Sequence, residues 1–591
     1  LGQMNVSFLV QDARRVLFVV PPGAVSGRVL VRAAGRVLPS PGTFTVDAAP
    51  TPPTPPPTPP PTPPPTPPAG VNLSIAGWYL TQGVQTLDRA VPLVAGKDGL
   101  LRVFVQASAA GAKAPEVRVT ITGGTPSPWS QTIQAPGNAV PTGLQEGELG
   151  SSWNVRVPGG VLTPSSALTV EVDPAQAVPD ANRADNRISA SLAAKAVAPF
   201  RTTLVPVTQQ GIQGNATGGG RTPASWAERL QRMAGLSGQP GGVDVQVGAP
   251  YATQADLNSG SGGWGQLLDE LNRKRAAEGT GRHYYGAVGV SYSGGIAGLG
   301  YIGNPAAIGW DKSGYQDGGN YPEVFAHEVG HNFGRQHAPC GNPAGVDPGW
   351  PADAAHTNAQ IGAYGWDSAT GALVMPSQAD VMAYCHPMWV SDYTYRGILD
   401  FRASHALGTE KPGAVRCLLV SGRRRGGRWT LSPAFTITTV PALPEGDECS
   451  IALMDPEGAL LREIPFTPSP VADLPGGEEE AHFAFALPLD APTEQRLLGV
   501  QVRAGGAVLA MRRGGWRAAP RAPEAVSLGA GRVRLTWDPR VGAGAMVRDA
   551  RTGEVLAFAE GGSAILATQE REIQVELSNG VTSSPFRVEI R

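Results

Sequence analysis

Residues 51–68 read TPPTPPPTPPPTPPPTPP, and this tract decides how the rest of the chain can be built. Proline fixes φ near −65° and lacks a backbone N–H, so such a run enters neither a helix nor a sheet and extends as polyproline II. At ~3.1 Å per residue it spans about 56 Å. No core can form across it, and the segments on either side must fold separately. The repeat lacks the flanking basic residues that proline-reading domains favour, so a rigid spacer is the simpler reading than a docking ligand. The 591 residues suggest three to five domains at roughly 100 to 200 residues each.

The parts outside the spacer are mostly strand-like. Before it, Arg15–Val20, Gly27–Val31 and Gly42–Val46 are apolar runs separated by Pro and Gly turns. The stretch PPGAVSGRVLVRAAGRVLPSPGTFTV resembles the C-terminal part of an IPT/TIG immunoglobulin-like domain, which places a partial domain at 1–47 and the linker at 48–69. After it, alternation in Leu100–Val105 and Glu116–Ile121 predicts a β-sandwich over 70–197. Its ending, Asp180 to Ile188, resembles the closing turn of CARDB-type bacterial adhesion-related sandwiches.

From 198 to 410 the pattern alternates. Strands are expected at Thr203–Val207, Val243–Val247 and Tyr284–Val290, and helices after Thr222-Pro223 and from Trp264 to Ala277. Beyond residue 411 helix signals vanish, and Phe435–Val440, Leu498–Val502 and Arg532–Trp537 indicate two sandwiches, 411–519 and 520–591.

Within the mixed segment lies His327-Glu328-Val329-Gly330-His331-Asn332-Phe333-Gly334-Arg335-Gln336-His337. Histidines four apart share one face of a helix and can share a metal. Pro322 suits the first turn of that helix. Gly334 then permits the turn that returns His337 as a third nitrogen ligand. Three neutral nitrogens with one open position suit catalytic zinc. Glu328, next to the first ligand, is placed as a general base rather than a ligand.

HExxHxxGxxH, at His327, Glu328, His331, Gly334 and His337, resembles the metzincin signature, and Asp380-Val381-Met382-Ala383-Tyr384-Cys385 resembles that clan's Met-turn. The resemblance implies an α+β metzincin catalytic domain, here flanked by immunoglobulin-like β-sandwiches, that binds one catalytic Zn²⁺. It implies Met382 as the apolar floor under the metal. Tyr384, two residues on, is implied as a switchable extra ligand and oxyanion stabiliser. It also implies that the glycine-rich stretch, centred on Gly295, Ile296, Ala297, Gly298 and Leu299, is an edge strand that pairs with extended substrate, with a flexible loop as the competing reading. Ala338, after the third histidine, matches none of the common subfamily choices.

Cys340 lies three residues after His337 and Cys385 three after Met382. A bridge between them would tie the ligand loop to the Met-turn, with free core thiols as the other reading. Cys417 and Cys449 could form a second bridge. His283, His356, His386 and His405 have no ligand spacing. Arg423-Arg424-Arg425 and Glu478-Glu479-Glu480 read as solvated loops, the acidic one a weak Ca²⁺ candidate.

Lys and Arg number 47 against 49 Asp and Glu, which gives no electrostatic case for nucleic acid or an anionic membrane. No apolar run reaches the roughly 18 residues of a membrane span. The chain opens at Leu1 in a strand-like run, so a leader or earlier domain is expected upstream. The expectation is a secreted or cell-surface, monomeric zinc endopeptidase of polypeptide or glycoprotein substrates. The alternative is an adhesion protein whose peptidase domain is vestigial.

Overall fold

The computed structural model describes residues 70–591 except 239, 259–261, 293–294, 314–318, 406–412 and 475–477, together with short backbone stretches between 8 and 45. The chain divides into two compact units, Leu1–Thr66 and Pro67–Arg591. The first contains two antiparallel hairpins, Phe8–Asp12 with Arg15–Phe18 and Leu30–Ala33 with Arg36–Pro39. The spacer at 51–68 lies outside the described residues.

The second unit is multidomain and mostly β. Its first sandwich packs a three-stranded sheet (Leu73–Thr81, Gly99–Ala107, Trp153–Val157) on a four-stranded one (Arg187–Ser191, Ala167–Val172, Val117–Thr122, Trp129–Ile133). Val117, Val119 and Ile121 alternate inward and pack with Val103, Trp153 and Val170. The closing turn is held by Asp180, whose carboxylate accepts from the Leu73 and Asn182 amides and from the Asn186 side chain.

The mixed segment is built on β1 (Phe200–Gln209), α1 (Pro223–Met233), β2 (Val243–Val247), α2 (Gly263–Glu278), β3 (His283–Val288), β4 (Gly298–Gly300), β5 (Ala306–Trp310), α3 (Tyr321–Asn332) and α4 (Asp392–Ser404). Strands β2, β1, β3 and β5 run parallel in that order, and β4 closes the edge antiparallel to β5. β3 and β5 are buried throughout, as expected of parallel strands covered on both faces. Thr222 caps α1 in a reciprocal capping box with Ser225, and Pro223 opens its first turn.

Downstream, β6 (Val415–Arg425), β7 (Ser469–Pro470) and β8 (Glu480–Pro488) belong to one sheet of a second sandwich, and a third sandwich follows over Glu524–Glu589. These sandwiches share a core with the mixed segment. Leu267, Leu268, Leu271 and Trp264 of α2 cluster with Leu419, Phe435, Ala484, Met546 and Phe558. The opposite side of α2 is therefore covered too, which explains its buried polar residues. Lys274 donates to Glu278 and to the Val555 carbonyl, and the Val555 amide donates back to Glu278.

Two sequence expectations fail in the second sandwich. Cys417 and Cys449 are buried free thiols: Cys417 lies in β6, Cys449 in a strand of the opposing sheet, and the Cys417 thiol contacts the Thr439 carbonyl. The two charge runs are only in part solvated loops. Arg423, Arg424 and Arg425 end β6, and Glu478 and Glu479 are exposed outside any strand, but Glu480 is buried beside His482, Arg423 and Arg425, and among the described residues no group of metal-ligating side chains forms there.

His283, unassigned from sequence, makes a thermodynamic contribution. Its ring centroid lies 5.1 Å from that of Phe200 and 5.5 Å from that of Phe333, and burial, helped by the charges of Arg275 and Arg402, pushes its pKa down to about 3. Above pH 6.5 the ring is neutral whether folded or unfolded. Below that, the unfolded chain binds a proton that the folded chain refuses until about pH 3, so stability falls with pH by about 1.4 kcal/mol per unit. His283→Phe should make the acid limb of the melting temperature against pH shallower by that slope. An acid limb identical to the parent's would show that this ring is not its source.

Candidate metal centre

Helix α3 positions the first two histidines. Pro322 lies in its first turn, and Val324, Phe325 and Val329 anchor it to the sheet. His327, Glu328 and His331 are all buried. The helix ends where Gly334 adopts φ +75°, and a Cβ there would lie 2.8 Å from the Phe401 ring. His337 thereby returns beside the first two, with ring centroids 5.5 Å from His327 and 4.7 Å from His331.

The second nitrogen of each ring fixes its tautomer. His327 Nδ1 faces the Val381 carbonyl at 2.7 Å, His331 Nδ1 the Arg335 carbonyl at 2.6 Å, and His337 Nδ1 the Ala344 carbonyl. A carbonyl only accepts, so each Nδ1 carries the hydrogen and each Nε2 presents a lone pair inward.

The loop that carries Met382 packs against helix α3. Asp380 accepts from the Met382 and Ser391 amides, and the Met382 carbonyl accepts from the Ala338 amide, joining the turn to the third-histidine loop. Met382 is fully buried, and a Cβ on Gly330 would meet its sulfur at 2.4 Å. A side chain larger than glycine between the two helical histidines would thus displace Met382. Cys340 and Cys385 are bridged, Cα to Cα 5.6 Å, closing a 45-residue separation between these same two loops.

The glycine-rich stretch is only partly the strand expected. Gly298 and Leu299 lie in β4, Ala297 pairs just before it through its carbonyl, and Gly295 has φ +103°, which ends any extended run; Ile296, between them, is buried. The glycines of β4 also serve a contact not expected from sequence: a Cβ on Gly298 would lie 2.4 Å from Glu328 Oε1, and one on Gly300 would lie 2.7 Å from the Glu328 carbonyl oxygen. Their small size lets the strand lie directly against α3.

A fourth residue completes the centre from 136 positions beyond His337. Asp473, on the loop between β7 and β8, places Oδ2 2.9 Å from His331 Nε2 and Oδ1 2.9 Å from His337 Nε2 and 3.5 Å from His327 Nε2. Tyr384, half-exposed, donates its hydroxyl hydrogen to Oδ1. Its one legible signal is a lone acid in the otherwise uncharged stretch Ser469-Pro470-Val471-Ala472-Asp473-Leu474, too weak to assign alone.

Four ligand atoms, one from each of His327, His331, His337 and Asp473, lie within 4.8 Å of one another. Three are lone pairs and the fourth a carboxylate oxygen, so they repel unless a cation lies among them. His327 Nε2, His331 Nε2 and Asp473 Oδ2 are buried without a properly aligned hydrogen-bond partner. Burial, then the Asp473 charge, pushes the Glu328 carboxyl well above the usual range. Positive charge placed at His331 and His327 would hold the Asp473 carboxyl well below it, against the effect of burial. The donor set fits a divalent metal of the zinc type.

The arrangement can hold a metal ion among three histidines and a carboxylate, beside the carboxyl of Glu328. Residues 264–338, from α2 through the third histidine, match the family model described as metallo-peptidase family M12B, reprolysin-like. That match supports a metallopeptidase domain in this part of the chain. No curated protein matches the chain. Among solved structures, the chain is similar to the CARDB domain of a Pyrococcus furiosus protein, determined with di-metal ions, at 12% identity, covering 22% of this chain and 87% of that one, with TM-score 0.13. It is also similar to a glycosyl hydrolase family 2 member from Bacteroides cellulosilyticus at 8% identity, covering 88% and 79%, with TM-score 0.14. Neither likeness carries a functional argument at those scores.

Proposed function

We infer that the mixed segment is a zinc-dependent endopeptidase of the metzincin type. The observation that supports this best is the convergence of three Nε2 lone pairs beside the carboxyl of Glu328, on a floor made by Met382. His327, His331 and His337 would hold the metal. A zinc ion bound there supplies Lewis acidity, polarising a scissile carbonyl and easing deprotonation of water. Glu328 takes the proton of the attacking water at its carboxylate and delivers it to the leaving amine. Its buried setting, which favours the protonated form, suits the second half of that cycle. The Tyr384 hydroxyl donates toward the oxygen that gains negative charge. β4 binds an extended peptide through backbone hydrogen bonds.

The substrate is an extracellular polypeptide or glycoprotein, and the protein is a secreted or surface-exposed monomer. The Cys340–Cys385 bridge suits an oxidising compartment, and no described helix is long and apolar enough to cross a membrane. The flanking sandwiches would engage substrate or surface. A vestigial domain in an adhesion protein is the second reading, favoured by the side chain of Asp473 filling the metal centre. The intact Glu328 and the clearance left for it by Gly298 speak against it.

The test is cleavage-site profiling of a peptide library by the zinc-loaded full chain, with the Asp473→Ala form in parallel. Cleavage at defined sites that disappears with Glu328 supports the endopeptidase. Two zinc-loaded forms that both hydrolyse no peptide would leave the vestigial reading in place.

A further inference from the structure

Resting on the metallopeptidase reading, we propose that Asp473 is a fourth ligand of the metal, carried into the substrate groove by a strand of the downstream sandwich, and that it holds the peptidase latent. The segment after β7 occupies the edge at the last residue of β4 and at the two residues that follow it, continuous with the edge that β4 would offer to substrate. The Ile302 amide donates to the Pro470 carbonyl at 3.0 Å, the Ala472 amide donates to the Gly300 carbonyl at 2.9 Å, and Val471 pairs antiparallel with Tyr301. These are the bonds an added peptide strand would make.

The segment is fastened on its other side as well. Ser469 and Pro470 pair with His482 and Ala481 of β8, and the Val471 amide donates to the Glu480 carbonyl. Below it, the Tyr301 hydroxyl lies 2.6 Å from His482 Nδ1, and His482 Nε2 lies 2.8 Å from Glu480, all three buried. A buried polar chain therefore joins the end of β4 to β8, with the segment held between them.

The segment delivers its carboxylate to within 2.9 Å of the Nε2 atoms of His331 and His337. The three histidine hydrogens are already committed to carbonyls, so the Nε2 atoms offer no donor to Asp473 while the rings are neutral. Tyr384 is the neighbour that donates to it, which commits that hydroxyl hydrogen to the carboxylate. Asp473 also adopts φ +64°, a conformation uncommon for residues other than glycine and held where the surroundings over-determine it. A metal bound by three histidines and this carboxylate has four protein ligands, the closed arrangement of structural rather than catalytic sites.

Access for an exogenous ligand is then reduced by the fraction of chains in which the segment has lifted, so a latch open in one to ten per cent of molecules weakens binding about 10- to 100-fold. The experiment compares the full-length wild type with Asp473→Ala, Asp473→Asn and Ala472→Pro, each checked for an unchanged melt and loaded with cobalt(II). Ala472→Pro keeps the carboxylate but removes the amide that donates to Gly300. The readouts are the visible spectrum of the bound cobalt and its titration with acetohydroxamate.

The expected result is one cobalt per chain in every form, an altered cobalt spectrum in the Asp473 variants, and hydroxamate binding about 10- to 100-fold tighter in all three variants than in the wild type. Cobalt bound equally, with spectra and hydroxamate affinities within twofold across all forms, would overturn the latch and leave the metallopeptidase reading standing. Absence of cobalt from every form would overturn both.

Discussion

Replacing Glu328 with Gln is expected to lower peptide-bond cleavage by about 10²- to 10⁴-fold, the range for loss of a positioned general acid–base group, while one metal stays bound per chain. The separation of these two readouts follows from the geometry. Glu328 projects from the same helix as His327 and His331, but its carboxylate faces Gly298 of β4, and it is not among the four residues whose ligand atoms converge. Gln preserves the shape and the helix and removes the capacity to accept a proton. The comparison is cleanest between Asp473→Ala and the double variant Asp473→Ala/Glu328→Gln, since the competing carboxylate is then absent from both. Equal rates in the two would assign proton transfer to another group, and loss of metal would make Glu328 a ligand.

Removing the Cys340–Cys385 bridge should have an effect of comparable size on stability. The loop it closes spans 45 residues, and in the chain-entropy model such a cross-link restricts the unfolded state by about 4 kcal/mol. It joins the loop that carries His337 to the turn that carries Met382, so it also limits movement between those two segments. Cys340→Ser/Cys385→Ser is expected to lower the unfolding midpoint in urea accordingly and to release metal more readily to a chelator. A double variant with an unchanged midpoint would show that the amide bonds from Ala338 to Met382 and from Tyr384 to Cys340 already fix the two loops.

The parts of this site that sequence displays are those whose residues are neighbours along the chain. The spacing of His327, His331 and His337 carries its own geometry, because a helix followed by a left-handed glycine determines where three side chains go. The same holds for α1, with its Thr222-Pro223 start, and for β2, whose bounds match the pattern of Val243–Val247. Asp473 was not legible for the converse reason. It enters from another sandwich through a pairing between Gly300–Ile302 and Pro470–Ala472, and strand pairing at that separation leaves no periodic trace in either segment. The burial of both sides of α2 was equally hidden, since its cover comes from β6, β8 and the third sandwich. Glu480 misled for a related reason: three acidic residues in a row suggest solvent, but β8 buries the last beside His482 and two arginines.

His327, His331 and His337 are expected to hold one zinc ion through Nε2. Metal analysis of the full-length protein after dialysis, combined with X-ray absorption at the zinc edge, tests it directly for the wild type and for His331→Ala. The expected result is one zinc per chain with nitrogen ligands at about 2.0 to 2.1 Å, and loss of the bound zinc in His331→Ala. A wild-type protein that retains no stoichiometric metal, or a His331→Ala form that retains it with an unchanged absorption spectrum, would contradict it.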